Sequence, residues 1–209
     1  MVSDFLHPFA KPTRTDFRTL VRGQGSVVYD NHGNQYIDGM ASLWYCAVGH
    51  GRSDMAEAIA RQAGTLAAYS TFDPFTNEPA EELAEKLVAI GPIPKSRIFF
   101  TSSGSESVDT AMKLARLAHV QAGHPERTLI ISRQRGYHGT TYGGTSAQGI
   151  PPNREGYGPL VGDVEQVAAD DIEAMATLMA QRGNTIAAVL VEPLQGAGGV
   201  FPPQEGYLQ

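Results

Sequence analysis

The sequence predicts an α/β fold built around a mostly parallel sheet. Two short, almost wholly apolar runs, TLIIS (128–132) and IAAVLV (186–191), read as strands covered on both faces, as parallel strands are. Long helical patterns stand before and between them. Glycine-rich loops follow both runs, where open α/β sheets place their ligands.

Taken in order, residues 26–39 (SVVYDNHGNQYIDG) predict a β-hairpin, with the turn supplied by Asn31-His32-Gly33-Asn34. Ser53 is a candidate cap for a helix running to about Ala68, with Met55, Ile59, Ala60 and Ala63 at helical spacing. A loop from Tyr69 to Asn77 leads to a helix carrying Leu83, Leu87 and Val88 on one face and ended by Gly91-Pro92. RIFFT (97–101) predicts a strand, and Ser105 to Ala122 a long helix stopped by Gly123 and Pro125. A further helix spans Ala168 to Arg182, between the two apolar strands. There is no internal repeat, low-complexity segment or clear linker. Three or so parallel strands with open edges predict a part of a larger protein.

The segment FFTSSGSESVDTAMKLAR (99–116) carries the most chemistry. Ser103 and Glu106 have capping-box spacing: the serine oxygen takes the amide of Glu106, and the glutamate reaches back to the amide of Ser103. Val108, Ala111, Met112 and Ala115 form an apolar stripe, and Asp109 and Lys113 are spaced to pair at i, i+4. Gly104 has no side chain to keep an anion from the backbone, and Ser103 and Ser105 add hydroxyl donors. A helix N-terminus with unpaired amides favours a phosphate there. Spacing alone leaves two readings open, a well-capped helix and an anion site. In the loop after TLIIS, Tyr137 stands between glycines, suited to lie flat on a planar ring; after IAAVLV come Glu192-Pro193 and Gln195-Gly196-Ala197-Gly198-Gly199. Neither loop is a P-loop or a dinucleotide fingerprint.

Composition bounds the rest. With 42% hydrophobic and 18% charged residues the chain has the balance of a soluble globular protein. No apolar run approaches the ~18 residues of a membrane span. The net charge of −6 with scattered basic residues gives no footprint for nucleic acid. Charges and prolines fill Met1 to Arg14, where a signal peptide would be apolar, so a cytoplasmic location is expected. Cys46 is the only cysteine, which excludes an internal disulfide and a multi-cysteine metal site.

In combination, DGMASLWYCAVGHG (38–51), FFTSSGSESVDTAMKLAR (99–116), RGYHGTT (135–141) and VEPLQGAGGVFPPQEGYL (191–208) resemble the class III pyridoxal-phosphate aminotransferases. The resemblance spans nearly the whole chain, and within the family it is nearest the ω-amino acid and amine:pyruvate transaminases. It implies the fold type I PLP-dependent transferase fold. Residues 1–60 would be an N-terminal segment belonging to a small domain, and 61–209 the first portion of the cofactor-binding large domain. It further implies that Ser103, Gly104 and Ser105 hold the phosphate of pyridoxal 5'-phosphate, that Tyr137 stacks on the ring with His138 beside it, and that Glu192 supports the cofactor edge. Trp44 would line the substrate side, and Phe72 would be donated by the neighbouring subunit of a homodimer. Core or interface packing is the alternative for these two. The substrates implied are a small amine or amino acid and a keto acid such as pyruvate.

The resemblance also places the Schiff-base lysine and the acidic partner of the ring nitrogen downstream of the stretch matching 191–208. The four lysines present are Lys11, Lys86, Lys95 and Lys113. Lys113 lies eight residues from Ser105, about 12 Å along a helix. The expectation is a transaminase portion without its catalytic lysine. The alternatives are a non-catalytic cofactor-binding or dimerising chain, or one half of a split enzyme.

Overall fold

A computed structural model describes residues 4–209, so Met1–Ser3 of the 1–60 segment lie outside the described residues. The described chain divides into two units, one ending at Ile90 and one spanning Gly91–Gln209. That division falls at 90/91, whereas the expected domain boundary stands at 60/61.

In the first unit β1 (Leu20–Gln24), β2 (Val27–Asp30) and β3 (Gln35–Ile37) form an antiparallel meander in the order β1-β2-β3. The expected hairpin is its second half. Its turn is organised by Asp30, whose carboxylate accepts the His32 and Asn34 amides at 2.9 Å each, the Asn34 side-chain amide at 3.0 Å and the Tyr36 hydroxyl at 2.8 Å. These donors favour the charged form, the Asn34 side chain most, and hold the carboxyl down at about 2. Two helices follow, α1 (Ser53–Thr65) and α2 (Glu78–Ile90). Ser53 begins α1 but does not cap it: the cap position is Arg52, which makes no side-chain cap bond and pairs instead with Asp54 at 2.6 Å. Neither helix has a buried residue.

The second unit contains α3 (Gly104–Gln121), β4 (Leu129–Arg133), α4 (Tyr142–Ala147), β5 (Val164–Val167), α5 (Ile172–Arg182) and β6 (Ile186–Val189). The sheet is parallel in the order β5-β4-β6. β4 lies at its centre and all five of its residues are buried. Strand alternation divides its side chains between two cores. Leu129 and Ile131 meet Val167, Ile186 and the α5 residues Met175 and Leu178. Ile130 meets Met112 and Val108 of α3 and Ala147 of α4. The helices therefore cover both faces of β4, as its continuous apolar run predicts.

The sheet has the expected three parallel strands, but they are not the expected three. RIFFT forms no strand; Phe99 and Phe100 are exposed, and no described residue pairs with that backbone. The third strand is β5, hidden in the sequence by its polar residues. Glu165 pairs with Arg182 of α5, and the Gln166 amide donates to the Ser146 carbonyl at 3.0 Å. Arg116 joins α3 to the sheet through the carbonyls of Thr128 (2.8 Å) and Gly162 (2.9 Å).

Candidate active site

The N-terminus of α3 takes shape from Ser103, whose extended backbone and side-chain oxygen, 3.2 Å from the Glu106 amide, make it the cap. Glu106 completes the return bond one residue earlier than expected, accepting the Ser102 amide at 2.8 Å rather than that of Ser103. The first-turn amides of Gly104 and Ser105 have no intrahelical acceptor. A β-carbon at Gly104 would meet no heavy atom within 4 Å, so the backbone there is open.

The loop after β4 is fastened to this turn. Ser105 Oγ accepts the Thr140 amide at 3.0 Å, and Thr141 donates to the Ser105 carbonyl at 3.3 Å. One turn on, Asp109 accepts the Gly144 amide at 2.9 Å. This bond replaces the expected Asp109–Lys113 pair, since a fixed backbone donor competes well against a mobile ammonium. The missed contributors, Thr140 and Asp109, had one signal in the sequence: Ser105 and Asp109 share a helix face by i, i+4 spacing.

Gly139 makes the close approach possible. Its φ is +105°, and an added β-carbon would lie 2.7 Å from Ser105 Oγ and 2.8 Å from Ser105 Cα. The same loop presents Tyr137, 37% exposed, beside buried His138. Glu192, just beyond β6, ties two loops together: it accepts the Tyr137 amide at 2.6 Å and the Gly196 amide at 3.2 Å. Beneath it the Arg133 guanidinium, 2% exposed, donates to the carbonyls of Ala169 (3.2 Å) and Glu192. Ser103, Gly104, Ser105, Tyr137, His138 and Glu192 therefore all belong to one loop cluster at the C-terminal end of the sheet. Trp44 and Phe72 belong to the first unit.

His138 Nε2 is buried and has no hydrogen-bond partner in the described chain. Burial pushes its pKa down, opposed by the Glu192 charge and assisted by that of Arg133. The imidazole is therefore neutral at pH 7. Below the ordinary value of ~6.5 the unfolded chain takes a proton that the folded chain resists, so stability falls as pH falls through that value. The His138 ring protons followed by NMR are expected to titrate below ~6.5. A midpoint at or above that value would contradict the buried, neutral assignment.

In the first unit Trp44 ends an unusual turn. Ala41, Ser42, Leu43 and Trp44 have φ of 48°, 51°, 61° and 81°. This is a turn of left-handed helix in residues other than glycine, each at a cost of about 1–2 kcal/mol. Trp44 is 81% exposed at its end, and Phe72 is 85% exposed in the loop between α1 and α2.

The cluster thus presents an unpaired buried nitrogen, open amides at a helix start and a partly exposed aromatic ring, groups with which a site can bind a phosphate and stack on a planar ring. Comparison with known proteins identifies the family. The model of the family described as aminotransferase class-III matches residues 9–209. The chain belongs to the class-III aminotransferases. Members of this family are pyridoxal-phosphate enzymes. It is 39% identical to the β-alanine–pyruvate aminotransferase of Pseudomonas aeruginosa, over 93% of this chain and 47% of that protein. It is 38% identical to the acetylornithine aminotransferase of Xylella fastidiosa, over 99% of this chain and 49% of that one. A transaminase from the marine bacterium Virgibacillus superposes with a TM-score of 0.93 at 39% identity, covering 98% of this chain and 49% of its own. The chain thus spans about half the length of the relatives it matches, and its fold is that of the fold type I transaminases.

Proposed function

We propose that these residues are part of a pyridoxal-phosphate transaminase that moves an amino group from an amine or ω-amino acid to a keto acid such as pyruvate. The observation that carries this reading is the fastening of the Tyr137–His138 loop onto the open N-terminus of α3 through Ser105 and Thr140. It holds a phosphate-binding turn and an aromatic ring on one rigid support. The β-alanine–pyruvate relative supports the donor and acceptor class.

The cofactor, when bound, supplies an electron sink. Ser103, Gly104 and Ser105 would hold its phosphate through amides and hydroxyls, Tyr137 would stack on the ring, and His138 would offer its unpaired Nε2. Glu192 would act through the Tyr137 and Gly196 amides that it fixes. Trp44 would line the substrate side, with Phe72 contributed by the second subunit of a cytoplasmic homodimer. Among the described residues no helix is long and apolar enough to cross a membrane.

The lysines limit what the 209 residues do alone. Lys113 lies eight residues along α3 from Ser105, about 12 Å of helix rise. Lys86 is paired with Glu82 at 2.6 Å. We therefore infer that the chain alone is inactive and that a longer coding sequence supplies the reactive lysine. The alternatives are a chain that only binds cofactor or dimerises, and a split enzyme with the lysine on a second polypeptide. The test compares the 209-residue chain with the product of the full reading frame, each given pyridoxal phosphate, an amine donor and pyruvate. Alanine is expected from the longer product only. Alanine formed by the short chain, or a reading frame that stops without a further lysine, would overturn the inference.

A further inference from the structure

The segment between β3 and α1 leaves the sheet at Asp38 and returns to it at His50. Its neck is tied by backbone bonds from Asp38 to the Ser26 carbonyl (2.8 Å) and between His50 and Gly25 in both directions (2.8 and 3.0 Å). The His50 ring lies against Gly23 of β1, where an added β-carbon would stand 2.6 Å from Cγ. Across the neck His50 Nε2 meets Asp38 Oδ2 at 2.8 Å. Both side chains are mostly buried.

The same carboxylate reaches into the left-handed turn. It accepts the Ser42 amide at 2.8 and 3.0 Å, the Met40 amide at 3.3 Å and the Ser42 hydroxyl at 3.3 Å. The turn's other bonds run from the Leu43 and Trp44 amides to the Met40 carbonyl and from Cys46 to Ala41, and the Cys46 thiol lies 3.4 Å from His50 Nδ1. These local bonds do not explain why four non-glycine residues adopt a conformation that L-amino acids avoid. Strain of this kind persists where surrounding contacts over-determine it. Here the over-determining contact is one carboxylate, itself held by an imidazole anchored on β1.

We propose that Asp38 and His50 are positioning residues, a clasp that holds the left-handed turn Ala41–Trp44 and thereby sets the orientation of Trp44. Asp38 draws the Ser42 amide inward, and His50 fixes Asp38. The consequence for substrate recognition rests on the reading of Trp44 as a pocket residue. The ordering of Trp44 by the clasp does not, and it is measurable without substrate or cofactor.

Trp44 is the only tryptophan in the chain, so its fluorescence and near-ultraviolet circular dichroism report this turn directly. In the 209-residue chain, Asp38→Ala is expected to remove most of the Trp44 near-ultraviolet signal and to lower its fluorescence anisotropy roughly twofold through fast local motion. Adding Ser42→Gly to that variant is expected to restore part of both signals, because glycine adopts φ near +50° without penalty. A structural role elsewhere in the fold would not be rescued by glycine at that position. Unchanged Trp44 order in Asp38→Ala would overturn the proposal. So would a loss of order that Ser42→Gly fails to restore, including one that comes with global unfolding.

Discussion

Gly139→Ala is expected to destabilise the second unit by about 2–4 kcal/mol and to abolish cofactor binding, since a β-carbon both strains the backbone and overpacks the contact. The first penalty comes from φ of +105°, beyond the left-handed well that other residues tolerate. The second comes from Ser105, whose Oγ and Cα would lie 2.7 and 2.8 Å from the new carbon. Relief requires the loop to lift from α3, and lifting breaks the Thr140–Ser105 bond that joins the two halves of the site. Gly104→Ala is the matched control. Its β-carbon would meet nothing within 4 Å, so stability should change by less than about 1 kcal/mol. Urea midpoints for the two variants test the contrast. Equal midpoints would mean that the loop is not clamped on the helix.

The second large effect is expected at Arg133. Replacing it with leucine preserves bulk at the C-terminal end of the central strand but strips two donors from the carbonyls of Ala169 and Glu192. Leaving the buried Ala169 carbonyl unpaired costs about 1–3 kcal/mol and the part-buried Glu192 carbonyl less, so a loss of roughly 2–4 kcal/mol is expected. Lysine is expected to rescue poorly, because one ammonium does not reproduce the fork that reaches both carbonyls. A second readout separates this from general destabilisation. The Arg133 charge helps to depress the His138 pKa, so the His138 titration should move upward in Arg133→Leu. A variant with parental stability and an unmoved His138 would show that the buried guanidinium does not organise these loops.

What the sequence disclosed follows from range. β4 was legible because LII carries its own burial signal, and both faces of the strand are covered as that run implies. The cap at Ser103 was legible because it is local, satisfied within three residues. RIFFT misled for the converse reason: its aromatic and β-branched residues suit a strand, but a strand also needs a partner, and no described residue provides one. β5 escaped notice because its two polar residues are satisfied by Arg182, Arg154 and Ser146, contacts that only the folded chain creates. At the site, the residue types at the α3 N-terminus and in the loop after β4 were readable in order. The bonds that join them, Thr140 to Ser105 and Gly144 to Asp109, each span 35 positions. No local pattern announces such a pairing. The Asp109–Lys113 expectation failed on that account, since the nearer partner in sequence lost to a distant amide.

The α3 N-terminus and the loop fastened to it are proposed to hold a phosphorylated pyridine. Pyridoxamine 5'-phosphate tests it most directly, because it occupies such a site without a reactive lysine. Its affinity for the 209-residue chain should be compared with that of pyridoxamine, which lacks the phosphate, by equilibrium dialysis. Charge-assisted bonds to the phosphate should favour the phosphorylated ligand by roughly tenfold to hundredfold. Tyr137→Ala should weaken it further while preserving the preference for phosphate. Equal affinity for the two ligands, or binding indifferent to Tyr137, would contradict the assignment of this turn and ring as the cofactor site.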